Sequence, residues 1–176
     1  QLNYFGSLRL MMNLLPQMEE QRSGQVINIS SIGVLTNAPR FSAYVASKSA
    51  LDAFTRCAAS EFSDEGIKFT TINMPLVRTP MIAPTKIYEN VPTISPEEAA
   101  DMICEAVIYK PKRIATRLGI FAQVMGTMAP KMTEIILNTG FRMFPDSTAS
   151  KGSGDKPAPV SSEQVAFAYL MRGIHW

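Results

Sequence analysis

This sequence contains few of the residues from which metal centres and histidine-based catalytic sites are built. Of its 176 residues, one is histidine and two are cysteine. We therefore expect no metal site and no Ser-His-Asp triad within this chain. The net charge is only +2 and the basic residues are scattered, so a nucleic-acid partner is not expected either.

The two cysteines give no sign of a disulfide framework. Cys57 and Cys104 lie in two separate helical patterns, and no signal-peptide pattern is present. We therefore expect reduced, buried thiols in a cytoplasmic protein.

Long apolar runs are also missing. The longest charge-free candidate for a membrane span, LGIFAQVMGTMAP at 118–130, has thirteen residues between two basic ones. A helix that crosses a bilayer needs about 20 apolar residues, so no integral membrane segment is expected. Association of 118–145 with a membrane surface stays open as a weaker alternative.

What the chain does contain is an alternation of helical and strand patterns. The stretch 1–24 predicts a helix that ends near Gly24, and 42–62 predicts a second. GQVINISS at 24–31 and IKFTTINMP at 67–75 are typical of buried strands. The apolar face of the first helix is expected at Phe5, Leu8, Met12, Leu15 and Met18. The order predicts an α/β fold, a parallel sheet with helices on its faces.

The second half of the chain begins with a clear helix signal. Ser95 is expected to cap a helix, with Pro96 in its first turn and Glu98 three residues after the cap. From 114 to 144 the chain is apolar and rich in methionine. A core helix packed on the sheet is favoured there over a flexible groove.

Composition divides the chain into three parts. We predict one domain over 1–145, a flexible linker over 146–162 and a terminal helix or tail over 163–176. Within the domain, 76–94 has three prolines and no clean period, which is typical of a long irregular segment that covers a site.

Tyr44 and Lys48 stand four residues apart in the second helical pattern. At this spacing two side chains project from one helix face, so a phenol would lie beside an ammonium. Coulomb attraction to the ammonium favours the phenolate, which would suit Tyr44 to act as a general acid. The motif alone is weak, because Tyr-x-x-x-Lys also occurs as an amphipathic pair on a solvated helix.

Two further polar residues stand at informative separations from this pair. Ser31 ends the NISS strand thirteen residues before Tyr44, and Asn3 lies twenty-eight residues before the serine. Asn, Ser and Tyr-x-x-x-Lys at these separations resemble the catalytic tetrad of the short-chain dehydrogenase/reductase family. NMPLVRTPM is similar to that family's Pro-Gly-x-x-x-Thr-x-Met segment. The resemblance covers most of residues 1–110 and implies a Rossmann-like, doubly wound parallel sheet.

The resemblance implies a role for each member of the tetrad. Ser31 would orient a substrate carbonyl, and Tyr44 would donate a proton to it as the oxyanion develops. Lys48 would make the tyrosine more acidic and hold the nicotinamide ribose. Asn3 would position a water that connects the lysine to solvent.

The resemblance also implies residues that hold a nicotinamide cofactor. The same tyrosine and lysine belong to this set, and Pro75, Val77 and Thr79 match positions that hold the carboxamide in the family. Leu76 stands where the family usually has glycine, which leaves the local backbone path open.

Longer stretches resemble one branch of the family, the bacterial fatty acyl-CoA reductases. They are NYFG, NISSIGVLTNAPRFSAYVASKSALDAF, MPLVRTPMIAPTKIYENVPT, SPEEAAD, RIATRLG, FRMFPDS and GIHW. This branch implies reduction of long-chain acyl-CoA to fatty aldehyde with NADPH, by a homo-oligomer, and an acyl groove after residue 114 would suit it. A 3-oxoacyl or hydroxysteroid reductase with the same tetrad is the alternative.

One element of the family has no counterpart in the sequence. Nothing resembles the glycine-rich turn that cradles a dinucleotide pyrophosphate, and the chain starts at Gln1 with a helix. We therefore expect that the N-terminal part of the fold is missing from this chain. A non-catalytic fragment with half a cofactor site is a further alternative, and these residues leave the choice between NAD and NADP open.

Overall fold

The computed structural model describes residues 2–80, 82, 92–143, 161–162 and 165–166. In chain order these contain a π-helical turn Leu2–Gly6, α1 (Ser7–Glu20), β1 (Gly24–Ser31), α2 (Gly33–Thr36), α3 (Ser42–Glu61), β2 (Ile67–Met74), α4 (Pro96–Tyr109), β3 (Arg113–Ala115), α5 (Arg117–Met128) and α6 (Pro130–Met143). Most of the predicted linker 146–162 and of the tail 163–176 lies outside the described residues, as does the middle of segment 76–94.

The three strands form one parallel sheet in the order β1, β2, β3. β1 and β2 pair along their whole lengths, from Gly24 opposite Ile67 to Ser31 opposite Met74. β3 is short and pairs only with residues 71–73 of β2. The second edge of β1 pairs with no strand among the described residues. β2 is therefore the centre of the sheet and β1 is an open edge.

Helices cover both faces of this sheet. One face carries a core formed by α1, α3 and β2, namely Met11, Leu15, Leu51, Ala58, Ile67 and Phe69, with Val26 of β1 packed against it. Successive strand residues point to opposite faces, so Gln25 points away from this core. Its side-chain amide donates a hydrogen bond to the carbonyl oxygen of Ala106 in α4, at 2.7 Å. The predicted parallel α/β sheet with helices on both faces is confirmed.

The start of α4 follows the predicted capping pattern. The Ser95 hydroxyl accepts a hydrogen bond from the Glu98 amide at 3.1 Å, and the Ser95 amide donates to the Glu98 carboxylate at 2.6 Å. Pro96 occupies the first helical position, where no hydrogen bond from its nitrogen is needed. Both strand predictions, over 24–31 and 67–75, are also confirmed within one residue.

The predicted apolar face of α1 is partly wrong. The helix ends at Glu20, and Gly24 begins β1 instead of ending the helix. α1 buries Met11 and Leu15, whereas Met12 is 57% exposed and Phe5, in the preceding turn, is 51% exposed. The π-helical turn contains more residues per turn than an α-helix, so Phe5 is out of phase with α1.

The two cysteines lie in α3 and α4 as predicted, but the expectation that they are buried is wrong. Both are free, exposed thiols. α3 buries Leu51, Asp52, Thr55 and Ala58, and α4 buries Ala106. Cys57 and Cys104 point away from these packed faces.

The region after residue 114 also differs from the favoured expectation. It forms a corner of two helices, α5 and α6, preceded by the short β3 strand, which the sequence pattern did not predict. α5 buries Gly119, and α6 buries none of its residues. This is an exposed pair of helices and not a core helix on the sheet. Among the described residues, no helix has both the length and the apolar character that a membrane span requires.

Candidate active site

The carboxyl ends of β1 and β2 bring two predicted site segments to one edge of the sheet. Ser31 is the last residue of β1 and lies opposite Met74, the last residue of β2. The amide of Ile32 donates a hydrogen bond to the Met74 carbonyl at 2.9 Å, so the two strands stay joined to their ends. Ser31 and residues 75–79 therefore leave the sheet side by side. In open α/β sheets this edge is where ligands bind.

The Ser31 side chain is held in the turn that begins α2. Its Oγ accepts a hydrogen bond from the Gly33 amide at 3.1 Å, which leaves its own proton available for a ligand. A Cβ on Gly33 would lie 3.4 Å from the Ser31 Oγ and 3.4 Å from the Val45 side chain. Gly33 thus separates Ser31 from Val45, the residue that follows Tyr44 in α3.

Tyr44 and Lys48 lie one turn apart at the beginning of α3, as the spacing predicts. Tyr44 is 41% exposed. Lys48 is half-buried, and its Nζ donates a hydrogen bond to the carbonyl oxygen of Ile29 in β1 at 2.8 Å. Among the described residues no hydrogen bond joins this ammonium to the tyrosine hydroxyl. The ammonium is instead held against the open edge strand.

Burial also changes the acidity of this lysine. The pKa of Lys48 is lowered from its ordinary value, because the half-buried ammonium loses part of its hydration. A lysine with a lowered pKa gives up its proton more readily than an exposed one.

Asn3 lies in the π-helical turn that precedes α1, a local structure that is frequent at functional sites. Its side-chain amide approaches the Ser47 hydroxyl at 3.4 Å. The Ser47 hydroxyl in turn donates to the Tyr44 carbonyl oxygen at 2.7 Å. Asn3 is thereby held against α3 at Ser47, the residue before Lys48.

The backbone of residues 75–79 is fixed by a short parallel bridge. Val77 pairs with Ile94, the Arg78 amide donates to the Ile94 carbonyl at 2.9 Å, and the Ile94 amide donates to the Leu76 carbonyl at 2.9 Å. Leu76 is not among the residues with positive φ, so leucine in place of glycine introduces no left-handed strain. The backbone path of residues 75–79 is therefore compatible with leucine at position 76.

Thr79 carries an orphaned polar atom at this edge. Its Oγ1 is buried and has no hydrogen-bond partner. A buried polar group without a partner costs about 1–3 kcal/mol, so such groups in folded proteins usually meet a ligand or water. The Thr79 hydroxyl is suited to form a hydrogen bond with a polar ligand group such as an amide. Pro75, which directly follows β2, is buried.

Sequence reasoning missed two asparagines in the strands. Asn28 Nδ2 and Asn73 Oδ1 are buried and have no hydrogen-bond partner, while the Asn73 amide nitrogen donates to the Ser31 carbonyl at 3.4 Å. Asn28 and Lys48 both line a cavity of about 360 Å³ beside the open edge of β1. The signal that could have found them is a polar amide inside each of two apolar strand patterns.

A larger cleft of about 530 Å³ lies between the loop after α2 and the α5–α6 corner. Asn37 and Pro39 line one side, and Leu137 and Phe141 of α6 line the other. The Arg40 guanidinium stacks over the Phe141 ring at 4.2 Å and donates to its carbonyl oxygen at 3.0 Å. This loop leads directly into the first turn of α3, so the cleft adjoins the segment that carries the predicted tyrosine.

Comparison with known proteins identifies relatives of this chain. It is 57% identical over 176 residues to a fatty acyl-CoA reductase of Acinetobacter baylyi, which covers 100% of this chain and 59% of the relative. It is 40% identical over 137 residues to a fatty acyl-CoA reductase of Mycobacterium tuberculosis, which covers 77% of this chain and 47% of that relative. The chain thus spans about half to three fifths of the length of these relatives.

A solved structure and a family model also match this chain. A crystal structure of a short chain dehydrogenase from Burkholderia cenocepacia in complex with NADP matches with a TM-score of 0.66 and 21% identity, over 77% of this chain and 56% of that one. Residues 1–89 match the model of the short chain dehydrogenase family. This segment includes β1, the first turn of α3 and the Val77 side of the bridge after β2. The chain belongs to the short-chain dehydrogenase family.

Proposed function

We propose that this chain supplies the proton-donating and substrate-orienting residues of an oxidoreductase that reduces long-chain acyl-CoA to fatty aldehyde with NADPH. The proposal rests on the convergence of Ser31, the first turn of α3 and residues 75–79 at one edge of the parallel sheet. The two relatives that are fatty acyl-CoA reductases support the choice of an acyl thioester as substrate.

A nicotinamide cofactor bound at this edge would supply the hydride. The buried, partnerless Oγ1 of Thr79 suits the carboxamide, and the backbone of Val77 is fixed next to it by the bridge to Ile94. Lys48 and Tyr44 would hold the ribose. NADPH is proposed over NADH because the resemblance is to reductases that use NADPH.

The reaction divides into a reduction and a cleavage. The hydroxyls of Ser31 and Tyr44 would bind the thioester carbonyl oxygen. As hydride reaches the carbonyl carbon, the Tyr44 hydroxyl transfers its proton to that oxygen and a hemithioacetal forms. Breaking the carbon–sulfur bond then releases the aldehyde and the CoA thiol. Lys48, whose pKa is lowered by burial, would return a proton to Tyr44, with Asn3 positioning a water that links the lysine to solvent.

The cleft of about 530 Å³ beside α6 is proposed to receive part of the acyl-CoA. Its volume lies within the range of small-molecule sites, about 300–1,000 Å³. Pro39, Leu137 and Phe141 give it an apolar wall, and Asn37 and Asn138 give it polar groups.

The experiment measures aldehyde formation from palmitoyl-CoA and NADPH by the complete product of the reading frame. Tyr44→Phe is expected to lower kcat by about 10²–10⁴-fold, because the general acid is lost. Tyr109→Phe is the matched control, since Tyr109 is 75% exposed at the end of α4. Full activity of Tyr44→Phe would end the proposal. Faster reduction of a 3-oxoacyl thioester or a steroid would favour the alternative reductases.

Cofactor binding by this chain alone is tested separately. Nicotinamide fluorescence is followed while the 176-residue chain is titrated into NADPH. Thr79→Val, which removes the hydroxyl and keeps the shape, is expected to weaken binding and to raise the unfolding midpoint, because it removes a buried partnerless polar group. No binding at all would favour the alternative of a non-catalytic fragment. A homo-oligomeric state and a cytoplasmic location stay predictions.

A further inference from the structure

The α5–α6 corner carries an exposed apolar surface that the proposed reaction does not use. We call it the apolar stripe and define it as Phe121, Val124, Met128, Met132, Ile135 and Ile136. These side chains are 47% to 79% exposed. Exposed apolar surfaces of this extent usually mark a binding surface.

Helix geometry gathers these residues on one face of each helix. At about 100° per residue, Phe121, Val124 and Met128 fall within about 60° of arc on α5. Met132, Ile135 and Ile136 fall within about 100° on α6. Met128 ends α5 and Met132 lies in the first turn of α6, so the two faces meet at the corner. The stripe is one ordered surface and not a scatter of single residues.

The stripe is not the face with which α6 packs on the rest of the protein. Leu137 and Phe141 line the cleft, and Phe141 contacts Arg40. On the helix these two residues lie about 100–180° away from Met132 and Ile136. α6 therefore has one face toward the cleft and a second, apolar face toward solvent.

Charged residues around the stripe are mostly basic. From 117 to 143 the chain has three basic residues, Arg117, Lys131 and Arg142, and one acidic residue, Glu134. Glu134 lines the cleft and so belongs to the other face of α6. An apolar helix face flanked by Lys and Arg is the signature of a helix that lies in the interface of an anionic membrane.

A second exposed apolar surface has a different balance of charge around it. The end of α4 exposes Val107, Ile108 and Tyr109 by 50% to 75%. α4 carries four acidic residues, Glu97, Glu98, Asp101 and Glu105, within its length. Lys110, Lys112 and Arg113 follow this helix directly, so 96–113 has a net charge of −1, whereas 117–143 has a net charge of +2. The end of α4 therefore serves as a comparison surface with less attraction to an anionic membrane.

We propose that the α5–α6 corner lies on the surface of an anionic membrane, with the apolar stripe among the acyl chains and with Lys131 and Arg142 at the headgroups. The surface is separate from the catalytic edge of the sheet, so the proposal does not depend on the proposed reaction. In this orientation the cleft, on the opposite side of α6, faces away from the bilayer.

Co-sedimentation of the 176-residue chain with lipid vesicles tests the proposal. Vesicles of phosphatidylcholine alone are compared with vesicles that also contain phosphatidylglycerol, without NADPH or acyl-CoA. Binding is expected to the anionic vesicles. Ile135→Asp is expected to weaken it by about tenfold or more, because a carboxylate would enter the apolar layer. Ile108→Asp is the matched control, since both isoleucines are 66% exposed, and it should bind as the unmodified chain does.

Two more measurements distinguish membrane binding through the stripe from self-association and from unfolding. Reversal of charge by Lys131→Glu together with Arg142→Glu should abolish the preference for anionic vesicles. Circular dichroism and unfolding midpoints should be the same for all variants, because each changed side chain is exposed. Absence of vesicle binding would overturn the proposal. So would equal losses in Ile135→Asp and Ile108→Asp, or a lipid-free dimer that Ile135→Asp abolishes. A failure of the reductase assay would leave the result unaffected.

Discussion

β2 and α6 are both rich in apolar residues, yet they differ completely in where those residues lie. In β2, Ile67, Phe69 and Ile72 are at most 2% exposed. In α6 no residue is buried, and Ile135 is 66% exposed. β2 has a strand on each side and helices over both faces, whereas α6 has the cleft on one side and solvent on the other. Apolar composition alone therefore does not tell whether a segment packs in the core or faces solvent.

The largest expected effect on the free energy of unfolding comes from alanine substitution in β2, compared with the same substitution in α6. Ile72→Ala is expected to lower the free energy of unfolding by about 2–5 kcal/mol, because it leaves a cavity at a position with 0% exposure. Ile135→Ala should change it by less than about 0.5 kcal/mol. Denaturant unfolding of both variants is the measurement. Equal losses would mean that the stripe is part of a core.

Glycine substitutions should give effects of opposite sign in the two regions. Gly66, in the turn before β2, has φ +76°, and a Cβ there would collide with the Arg22 carbonyl. Gly66→Ala is expected to destabilise the fold by about 1–3 kcal/mol. At Gly140 of α6 a Cβ would meet nothing within 4 Å, so Gly140→Ala should stabilise by about 0.5–1 kcal/mol.

Thermal unfolding midpoints decide this prediction. Gly66→Ala should unfold at a lower temperature than the unmodified chain, and Gly140→Ala at a higher one. A lower midpoint for Gly140→Ala would show that this face of α6 meets a neighbour in solution.

The smallest effect concerns the dependence of stability on pH. The pKa of Lys48 is lowered in the folded state, so above that folded pKa the unfolded chain binds more protons than the folded one. Stability should therefore rise with pH from the folded pKa of Lys48 up to the ordinary lysine range. Below the folded pKa the penalty of the half-buried ammonium is present in full.

Lys48→Met should remove this alkaline rise, whereas Lys131→Met on the exposed α6 should keep it. The measurement is the free energy of unfolding as a function of pH for the three chains. A rise that survives in Lys48→Met would assign it to another group.

The parts of the fold that sequence predicted best are those with a strong local signal. The strands at 24–31 and 67–75 have continuous apolar patterns, and the Ser95 cap has its own hydrogen-bond pattern. The strand β3 was not predicted, because three residues are too few to show a hydrophobic period. The π-helical turn shifts the phase of residues before Ser7, which accounts for Phe5. Met12 lies inside α1, where its neighbour Met11 takes the buried position.

The site was predicted less completely than the fold. Spacing correctly put Ser31 at a strand end and Tyr44 and Lys48 in one helix turn. It did not predict that the Lys48 ammonium binds the Ile29 carbonyl, because that contact depends on how α3 packs on an edge strand. The catalytic roles stay predictions until the tyrosine and threonine variants are measured.

The open edge of β1 has a practical consequence for anyone who purifies this chain. Unpaired amides and carbonyls along an edge strand are a template on which further strands can add, and such edges promote aggregation. Here the Lys48 ammonium donates a hydrogen bond to one of those carbonyls, that of Ile29. A charge at this point should discourage a foreign strand from docking, so neutral replacements of Lys48 will require low protein concentrations during refolding.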